Sequence, residues 1–537
     1  MTRALAAGDA AVLVELVGPA APTPARLAAA IRGAGLADVV EVIPGARTVL
    51  VTVRPGSWEP GKLAERLLRV RAAPGPPGVA APRVTEIDVC YDGPDLADVA
   101  ALTGLPVAEV IARHSAAEYE VGWLGFSPGF GYLTGLDPAL AEVPRLDRPR
   151  LAVPAGSVAI AGGLAAVYPA RSPGGWRLLG RTAAAMWDLE RDDPALLAPG
   201  MRVRFRSVAT LPGASAARDG AVRQRPELGL RTVEVLQPGP LATVQDRGRL
   251  GFGHLGVPRS GAADGASLRL ANALVGNDDG CAGLEITLGR LALRFGGFAV
   301  AAVTGAPAPL RLVSADGQVR EPEAGAALEI GAGSTLRLGS PASGLRSYVA
   351  VDGGFDVAAT LGSRSSDVLS GLGPAPLRAG DVLPLGPRGC APWRGRPGFS
   401  RSTGPGDDPR NPRDTGAEIE LRAIAGPRQD WFTPAALDTL ASASYQVTTA
   451  SNRTGLRLGG PALRRATPAE LPSEGVATGS LQVTHEGQPI LLLADHPTTG
   501  GYPVIAVVRA ADIGRAAQLR PGQQVRFRLT RQAAGTR

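Results

Sequence analysis

The chain has 537 residues, 45% of them hydrophobic and 20% charged, and its formal net charge is +7 at pH 7. This length suggests about three or four domains, and the composition excludes a wholly disordered protein. The positive surplus is spread over the whole chain, so it gives little support to nucleic-acid binding. Lys62 is the single lysine, which excludes a biotin-acceptor or Schiff-base lysine at any other position.

Cysteines and histidines are too sparse to form a disulfide framework or a recognisable metal site. Cys90, Cys281 and Cys390 are far apart, which favours a reducing compartment. The four histidines show no metal-ligand spacing. No apolar run reaches the ~18 residues of a membrane span, and the N-terminus lacks a signal-peptide layout. The sequence therefore predicts a cytoplasmic protein that has no metal-ligand residues and binds neither membrane nor nucleic acid.

The first 92 residues alternate between strands and helices. Thr23 followed by Pro24 is a typical helix start, and Gly33 is a typical helix end. The predicted elements, in order, are a strand at Ala11–Val17, a helix at Pro24–Gly33, strands at Val39–Ile43 and Thr48–Val53, a helix at Lys62–Val70 and a strand at Val84–Val89. This β-α-β-β-α-β order predicts a ferredoxin-like module at residues 1–92.

Two short helices, Leu96–Leu102 and Val107–His114, come next and are joined by a glycine turn. A DNA-binding helix-turn-helix is one interpretation, but the single arginine of the second helix argues against it. His114 ends that helix just before an aromatic run, which predicts a position at the edge of a site. The alternative is a histidine favoured at a helix C-terminus by the helix dipole.

An internal repeat organises the rest of the chain. A double glycine followed by an aromatic residue occurs at 174–176, 353–355 and 500–502. The repeat predicts three β-rich, closed or nearly closed barrels, at residues 93–208, 231–387 and 417–537. The composition of 209–230, and of the Pro/Gly/Arg-rich stretch 388–416, predicts linkers.

The segment 121–133 places four aromatic residues among glycines. So many glycines predict close approach by a ligand or another backbone, and a glycine-rich barrel corner is the alternative. Further along, backbone N–H groups of a turn at 154–157 could hold an oxyanion or phosphate oxygen, with arginines just upstream to supply charge. The candidate substrate- or nucleotide-binding residues of this part are Phe126, Pro128, Gly129, Phe130, Tyr132, Arg145, Arg150, Gly156, Ser157, Gly174, Gly175 and Trp176.

These motifs resemble the KipI-type family, which is the B-type subunit of bacterial 5-oxoprolinase. The resemblance spans residues 11–208. It rests on G-F-S-P-G-F-G-Y-L at 125–133, V-P-A-G-S-V at 153–158 and S-P-G-G-W at 172–176.

The next part of the chain opens on a polar loop and a helix that Asp264 can cap. Gly251, Gly253 and Gly256 fit the dinucleotide motif G-x-G-x-x-G. No strand precedes them, and Pro258 stands where the helix should begin, so we reject a dinucleotide site. The candidate binding residues here are Gln245, Asp246, Arg249, Ser260, Asp264, Asn272 and Glu285.

A polar cluster near the C-terminus lies between two apolar runs, Pro489–Ala494 and Val504–Val508. Both runs are typical of buried strands, so the cluster is expected on a barrel rim, where side chains are held rigidly. The alternative is that these side chains only satisfy the backbone of a turn. The candidates are Arg453, Glu474, Gln482, Asp495, Thr498, Thr499, Gly500, Gly501 and Tyr502.

Residues 231–530 resemble the KipA-type family, the C-type subunit of 5-oxoprolinase, also called biotin-dependent carboxyltransferase-like. The family motif S-D-R-x-G-x-R-L stands at 451–458, where Asn452 replaces the aspartate. In the family motif D-R-Q-T-T-G-G-Y, His496-Pro497 replaces Arg-Gln.

Together the resemblances indicate a fusion of the B-type and C-type components of 5-oxoprolinase. They imply a mainly β protein in which three cyclophilin-like β-barrels follow the α+β ferredoxin-like module. They also imply ATP-dependent opening of the substrate 5-oxoproline to glutamate, with ATP and Mg²⁺, and a separate A-type subunit of 5-oxoprolinase with a LamB/YcsF-type barrel. The candidate catalytic residues are His114, Glu474, Asp495, Thr498 and Thr499.

Two other functions stay open. One is a carboxyltransferase or allophanate hydrolase-like protein related to urea carboxylase, and the other is a KipI-like regulator of a sensor kinase. We expect no covalent cysteine or lysine intermediate, because the cysteines lack a neighbouring histidine motif and Lys62 lies in the first module. The oligomeric state, including a homo-oligomer, is left open.

Overall fold

The computed structural model describes residues 2–18, 21–72, 84–211, 229–388 and 418–530. The first unit comprises 2–72 without 19 and 20, and the second, third and fourth units are 84–211, 229–388 and 418–530. The architecture is mainly β with few, short helices. Cys390 and the middle of each predicted linker lie outside the described residues. Within the described ranges, no helix is both long and apolar enough to cross a membrane.

The first unit is a four-stranded antiparallel sheet of order β1-β2-β4-β3, with two helices packed on its core. The Thr23 hydroxyl accepts a hydrogen bond from the Arg26 N–H and Pro24 opens the helix, which confirms the predicted helix start. The elements are β1 Thr2–Ala6, β2 Ala11–Leu16, α1 Pro24–Gly33, β3 Val39–Pro44, β4 Thr48–Val53 and α2 Pro60–Leu68.

The second unit is a seven-stranded sheet of order β12-β9-β10-β7-β6-β13-β5. Its outer strands meet through paired hydrogen bonds between Cys90 and Arg181, so the sheet is nearly closed. The elements are β5 Val84–Val89, α3 Leu96–Thr103, α4 Val107–Ala116, β6 Tyr119–Leu124, β7 Gly131–Thr134, α5 Pro138–Ala141, β8 Arg150–Val153, β9 Ser157–Ala161, β10 Leu164–Val167, β11 Ser172–Gly174, β12 Arg177–Arg181 and β13 Arg202–Ser207.

The predicted strand Val84–Val89 forms, but its assignment to the first module is wrong. This strand, β5, pairs in parallel with β13 and buries Ile87 and Val89 in the core of the second unit. The fourth strand of the first unit is instead β1, which pairs with β2. An alternating pattern shows which face of a strand is buried, but it does not identify the neighbouring strand.

The third unit consists of a six-stranded sheet, β20-β19-β22-β17-β14-β24, and a five-stranded sheet, β15-β16-β23-β18-β21, around one core. Its elements are β14 Thr232–Gln237, β15 Leu241–Gln245, a 3₁₀ turn Gly253–Leu255, α6 Gly265–Leu274, β16 Gly283–Thr287, β17 Leu291–Phe295, β18 Ala299–Gly305, β19 Leu310–Val313, β20 Val319–Arg320, β21 Ala327–Ile330, β22 Thr335–Leu338, β23 Arg346–Val351 and β24 Val382–Pro384.

The prediction of a closed or nearly closed barrel is met here in a divided form, because two sheets enclose one core. The chain changes sheet between β16 and β17, where three consecutive residues, Leu288, Gly289 and Arg290, have φ values of 58°, 62° and 59°. Such left-handed residues turn the chain sharply, so β16 and β17 lie in different sheets.

The fourth unit is a closed barrel of order β25-β32-β29-β30-β27-β26-β33. Its elements are β25 Ile419–Ala425, a 3₁₀ turn Gln429–Trp431, α7 Pro434–Ser442, β26 Ser444–Val447, β27 Gly455–Gly459, β28 Glu474–Gly475, β29 Ser480–Val483, β30 Pro489–Leu492, β31 Thr499–Gly500, β32 Val504–Val508, a 3₁₀ turn Ala510–Asp512, α8 Ile513–Ala517 and β33 Gln524–Thr530.

The second and fourth units each pair their first strand with their last strand. The last strand of each unit, β13 or β33, pairs in parallel with the first, β5 or β25. Both last strands carry the repeated V-R-F-R sequence, with Val and Phe buried and Arg exposed. The repeat therefore marks a strand with one buried face, as its alternation indicates.

Candidate functional site

Three loops from three different units meet at one place. They are 125–130 of the second unit, 253–260 of the third and 495–499 of the fourth. Three hydrogen bonds link them in pairs: Gly129 N–H to Leu255 O at 3.0 Å, Phe126 N–H to Thr499 Oγ1 at 2.9 Å, and Ser260 Oγ to Asp495 Oδ1 at 2.7 Å. The loop 495–499, which belongs to the C-like part, therefore contacts both the B-like second unit and the third unit.

Arg453 is the centre of a buried ion network between the third and fourth units. Its guanidinium group binds Asp495 in a bidentate way, with Nε–Oδ2 at 2.8 Å and Nη2–Oδ1 at 2.9 Å. It also donates to the Glu285 carboxylate and to the Gly261 carbonyl. Burial lowers the pKa of Arg453, but Glu285 and Asp495 outweigh burial and the pKa lies above its ordinary value. The arginine is therefore charged.

Glu285, on β16, is fully buried on the other side of Arg453. Its Oε2 accepts hydrogen bonds from the Ala263 N–H and the Tyr348 hydroxyl, both at 2.9 Å. Arg346 Nε lies 3.3 Å from Oε1. Burial raises the pKa of Glu285, but the charges of Arg453 and Arg346 outweigh this effect and the pKa lies below its ordinary value. Glu285 is thus a carboxylate that holds the arginine in place.

Asp367 brings a further carboxyl group to this place, and sequence reasoning missed it. It accepts hydrogen bonds from Leu369 N–H and from both Ser370 N–H and Oγ. The next residue, Val368, donates its N–H to Asp495 Oδ2 at 3.3 Å. Burial, and then the negative charge of Asp495, raise the pKa of Asp367. The usable signal was the polar run Ser-Arg-Ser-Ser-Asp at 363–367 between apolar segments.

Three buried polar atoms at the 363–367 loop have no hydrogen-bond partner among the described residues. They are Gln245 Oε1, Arg249 Nη1 and Ser366 Oγ. Gln245 Nε2 donates to the Ser366 carbonyl at 3.0 Å, and Arg249 Nη2 donates to the Ser365 carbonyl. Such atoms are costly unless a ligand or water satisfies them. They offer one acceptor, one cationic donor and one hydroxyl group next to Asp367 and Asp495.

Asp246, Asp264 and Asn272 support this site rather than facing a ligand. Asp246 accepts hydrogen bonds from Ser363 Oγ, the Arg364 N–H and the Gly248 N–H, so it fixes the 363–367 loop. Asp264 caps α6 through the Ser267 N–H, and Gln518 Nε2 donates to it at 3.0 Å. The Asn272 amide is bound to the Cys281 carbonyl at 2.9 Å, and the structure does not bring it to the carboxylates.

Aromatic side chains line the second-unit face of the junction. Trp123 stacks on Tyr132 with a centroid distance of 4.5 Å, and Phe126, Phe130, Tyr168 and Trp176 pack edge-on around them. These six residues form what we call the aromatic cluster. Burial raises the pKa of Tyr132, and its hydroxyl group interacts with Ser473 and Thr499 of the fourth unit. The cluster is therefore a buried apolar core that supports the polar 495–499 loop from the second-unit side.

The other predicted residues near the aromatic cluster lie at its edge. Arg145 is 3.9 Å from Glu470, and Arg150 donates to Asp95 Oδ1 at 2.6 Å. A Cβ at Gly500 would lie 2.6 Å from Gln482 Nε2, so a larger residue there would displace the Gln482 side chain. The remaining edge residues are Pro128, Gly501 and Tyr502, and the Arg465 guanidinium lies 6.0 Å from the Tyr502 ring.

The turn at 154–157 does not offer the donors that we predicted. The Gly156 N–H donates to the Tyr168 carbonyl at 2.8 Å, and the Ser157 N–H donates to the Pro154 carbonyl at 3.4 Å. Gly174 serves packing, since a Cβ there would lie 2.3 Å from the Tyr168 hydroxyl, whereas a Cβ at Gly175 would make only ordinary contacts at 3.7 Å. The N–H groups of Gly156 and Ser157 are therefore already hydrogen-bonded, which corrects the prediction for these two donors.

His114 is not brought to the junction. Its ring stacks on Phe205 at 4.9 Å between centroids, inside the core of the second unit, and its Nδ1 lies 2.7 Å from the Tyr91 hydroxyl. Burial lowers the pKa of His114 to about 3, so the ring is neutral. Thr498 does lie in the junction loop, and its Oγ1 is buried without a partner among the described residues.

Glu474 lies where the fourth unit meets the first unit. Its Oε2 accepts two hydrogen bonds from Arg428, at 2.7 and 2.9 Å, and Arg428 also binds Glu15 on β2 at 2.8 Å. Burial raises the pKa of Glu474 to about 7; Arg428 opposes this shift, and Glu15 and Asp430 add to it. β28, which carries Glu474, pairs with β31, which carries Thr499.

This raised pKa predicts a pH-dependent stability. Because the folded state binds the Glu474 proton more tightly than the unfolded state, the contribution to stability is largest at low pH and falls as pH rises from about 4.5 to 7, by roughly 1.4 kcal/mol per unit of pKa shift. Glu474→Gln should remove this dependence. Denaturant unfolding of both proteins at pH 5 and pH 7 tests it. The prediction would be contradicted if the wild type gained stability relative to Glu474→Gln as the pH rises.

Two family models of carboxyltransferase domains match the chain. "Carboxyltransferase domain, subdomain C and D" matches residues 2–197. "Carboxyltransferase domain, subdomain A and B" matches residues 255–529. The first match covers the first and most of the second unit, and the other covers most of the third and fourth.

Similar proteins match the two parts separately. The chain is 39% identical to the C-type subunit of 5-oxoprolinase from Escherichia coli K12 over 298 residues, which are 55% of this chain and 90% of that protein. It is 43% identical to the B-type subunit of 5-oxoprolinase from Escherichia coli O157:H7 over 212 residues, 37% of this chain and 92% of that protein. It is 31% identical to urea amidolyase of Lachancea kluyveri over 316 residues, 55% of this chain and 17% of that protein.

One solved structure matches the whole arrangement. The crystal structure of TTHA0988 superposes with a TM-score of 0.81 at 35% identity, covering 96% of this chain and 99% of that one. These relatives confirm the predicted fusion of B-type and C-type parts. The chain belongs to the carboxyltransferase-domain family, with subdomains C and D preceding subdomains A and B in one polypeptide.

Proposed function

We propose that the chain is the combined B-type and C-type component of an ATP-dependent 5-oxoprolinase, which opens 5-oxoproline to glutamate together with a separate A-type subunit. Similarity to the two named 5-oxoprolinase proteins supports the activity. The observation that carries the proposal is the 495–499 loop, which hydrogen-bonds the B-like part through Thr499 and the C-like part through Asp495. A loop shared in this way makes one composite site from the two parts.

The unpartnered buried atoms fit the substrate class. 5-Oxoproline is a lactam, with one N–H donor and one carbonyl acceptor, and it also carries a carboxylate. Gln245 Oε1 can accept from the lactam N–H, Ser366 Oγ can donate to the lactam carbonyl, and Arg249 Nη1 can bind the carboxylate. Each group of the substrate thereby meets a matching group of the protein.

Ring opening needs activation because an amide is a poor electrophile. ATP, when bound, would supply a phosphoryl group that activates the lactam carbonyl toward attack by water and is released as inorganic phosphate by a second water after the C–N bond has broken. Asp367, whose pKa is raised, can take the proton of the attacking water and give one to the ring nitrogen as the C–N bond breaks. Arg453 holds Asp495 beside this carboxyl group and orients it. Mg²⁺ is proposed to arrive with the nucleotide; the described residues contain no cluster of three or more ligand side chains for a metal.

The proposal is tested by ATP consumption and glutamate formation with the purified chain, with and without a purified 5-oxoprolinase component of the LamB/YcsF type. We expect ATP consumption and glutamate formation with 5-oxoproline when the LamB/YcsF-type component is present. Proline is the matched control, because it has the same ring and carboxylate but no lactam carbonyl. ATP consumption that responds to urea and not to 5-oxoproline would reject the proposal and favour the urea-related alternative.

His114 is expected to contribute to stability rather than to catalysis. His114→Ala removes a buried ring from the second-unit core, and should lower the free energy of unfolding by about 3 kcal/mol, as for other buried rings. Turnover per folded molecule should stay near the wild-type value. Chemical denaturation and 5-oxoproline turnover, normalised to the folded fraction, measure the two effects. A loss of turnover at unchanged stability would return His114 to the site.

A further inference from the structure

A groove on the six-stranded sheet of the third unit contains three arginines and one acidic residue. It has a volume of about 600 Å³, and Arg290, Arg311, Arg337 and Glu321 line it. Pockets for small organic ligands are typically of roughly this size, about 300–1,000 Å³. The groove shares none of its lining residues with the three-loop junction.

The strand register places the arginines side by side without a compensating partner. Arg311 on β19 lies directly opposite Arg337 on β22, which in turn lies opposite Ala292 on β17. Like charges directly opposite each other destabilise a sheet. Among the described residues, none of the three groove arginines takes part in an ion pair within 4.0 Å, with Glu321 or any other acid.

The third arginine is presented by a strained backbone. Arg290 has φ 59°, a left-handed conformation that non-glycine residues rarely adopt. The two preceding residues, Leu288 and Gly289, also have positive φ values. Strain of this type persists where the surrounding structure imposes it, often at binding sites. The sheet thus carries an unfavourable charge arrangement, which an anionic ligand would relieve, next to an arginine whose backbone conformation is fixed by the turn between the two sheets.

We propose that this groove binds an organic phosphate of nucleotide size. Guanidinium groups match the oxygens of a phosphoryl group in bidentate geometry, and three of them can neutralise more than one negative charge. Pro309 and Pro322 at the groove wall supply apolar surface for the organic portion of the ligand. The site is separate from the lactam-binding atoms and does not depend on the proposed activity.

Calorimetric titration of the whole chain with ATP, pyrophosphate and citrate tests the proposal. We expect ATP to bind in this groove, in addition to any ATP bound at the three-loop junction, with an affinity that Arg337→Gln weakens at least tenfold. Arg320→Gln, at an exposed arginine on β20 outside the groove, is the matched control and should change the Kd less than twofold. Tighter binding of ATP than of pyrophosphate identifies an organic phosphate, and citrate, a polyanion without phosphate, should bind at least tenfold more weakly than ATP.

Melting without ligand separates binding from a structural role. Because Arg337→Gln removes a like-charge pair, its Tm should equal or exceed that of the wild type, and Arg311→Gln should behave in the same way. Unchanged ATP binding in both variants, or citrate binding as tight as ATP binding, overturns the proposal. Pyrophosphate binding as tight as ATP binding overturns the organic part of the assignment.

Discussion

Arg453→Met is expected to lower the free energy of unfolding by about 3–5 kcal/mol, the cost of removing one partner from a buried ion pair. The guanidinium group is buried and binds Asp495 and Glu285 across the boundary between the third and fourth units. Without it, two carboxylates remain buried with no arginine between them. Methionine replaces the aliphatic part of the arginine side chain, so the loss comes mainly from the missing guanidinium group. Denaturant unfolding at pH 7 measures the loss.

The matched control is Arg206→Met. Arg206 also forms a bidentate pair, with Asp88 at 2.6 and 2.9 Å, but this pair is on the surface, where ion pairs contribute little. The loss in Arg453→Met should shrink as pH falls. In the wild type, Glu285 has a lowered pKa, so its contribution is present at neutral pH and is lost in acid. In the variant, burial raises that pKa and acid relieves the penalty. A pH-independent loss, or one as small as in the control, would contradict this account.

Asp495→Asn is expected to lower 5-oxoproline turnover at least 100-fold, about 3 kcal/mol of transition-state stabilisation. Asp495 does not merely cap its own turn, because it accepts hydrogen bonds from Ser260, Arg453 and the Val368 N–H. An amide in its place can no longer balance Arg453 or orient the neighbouring Asp367. Thr499→Val, which is nearly isosteric, removes the acceptor of the Phe126 N–H and should also reduce turnover.

Asp512→Asn is the control for Asp495→Asn. Asp512 is equally buried in the fourth unit and binds Arg422, and it lies on a 3₁₀ turn outside the three junction loops. The Asp512→Asn variant should be less stable than the wild type but should keep its turnover per folded molecule. If Asp495→Asn keeps more than a tenth of wild-type turnover, or if both variants lose turnover equally, Asp495 has no specific part in the reaction.

Local patterns predicted several elements well, because short-range chemistry decides them. Thr23 and Pro24 fix the start of α1, and the apolar run Val504–Val508 forms β32 with the predicted bounds. The other run forms β30, Pro489–Leu492, so the polar residues between them lie at a strand junction as expected. In these cases the signal lies within a few residues of the element that it predicts.

Partners that are distant in sequence could not be predicted in this way. Arg453 binds Glu285 across 168 positions, and Thr499 binds Phe126 across 373. Asp367 belongs to the site only because its loop packs against the 495–499 loop of another unit. Likewise β5 has a strand pattern that suits either of two sheets, and only the fold decides which one it joins. Periodicity predicts a buried face, but it carries no information about what covers that face.

The parallel pairing of β25 with β33 has a consequence for biosynthesis. Ile419 to Ile424 lie against Val525 to Thr530, so the fourth barrel closes only with the strand of this unit that is synthesised last. Until that strand has left the ribosome, β25 and β26 expose open edges, which are sites for aggregation. The long loop that this pairing closes also makes late, slow closure the expected order of folding. Arg453 and Asp495 are therefore synthesised well before the barrel that buries their charges is complete.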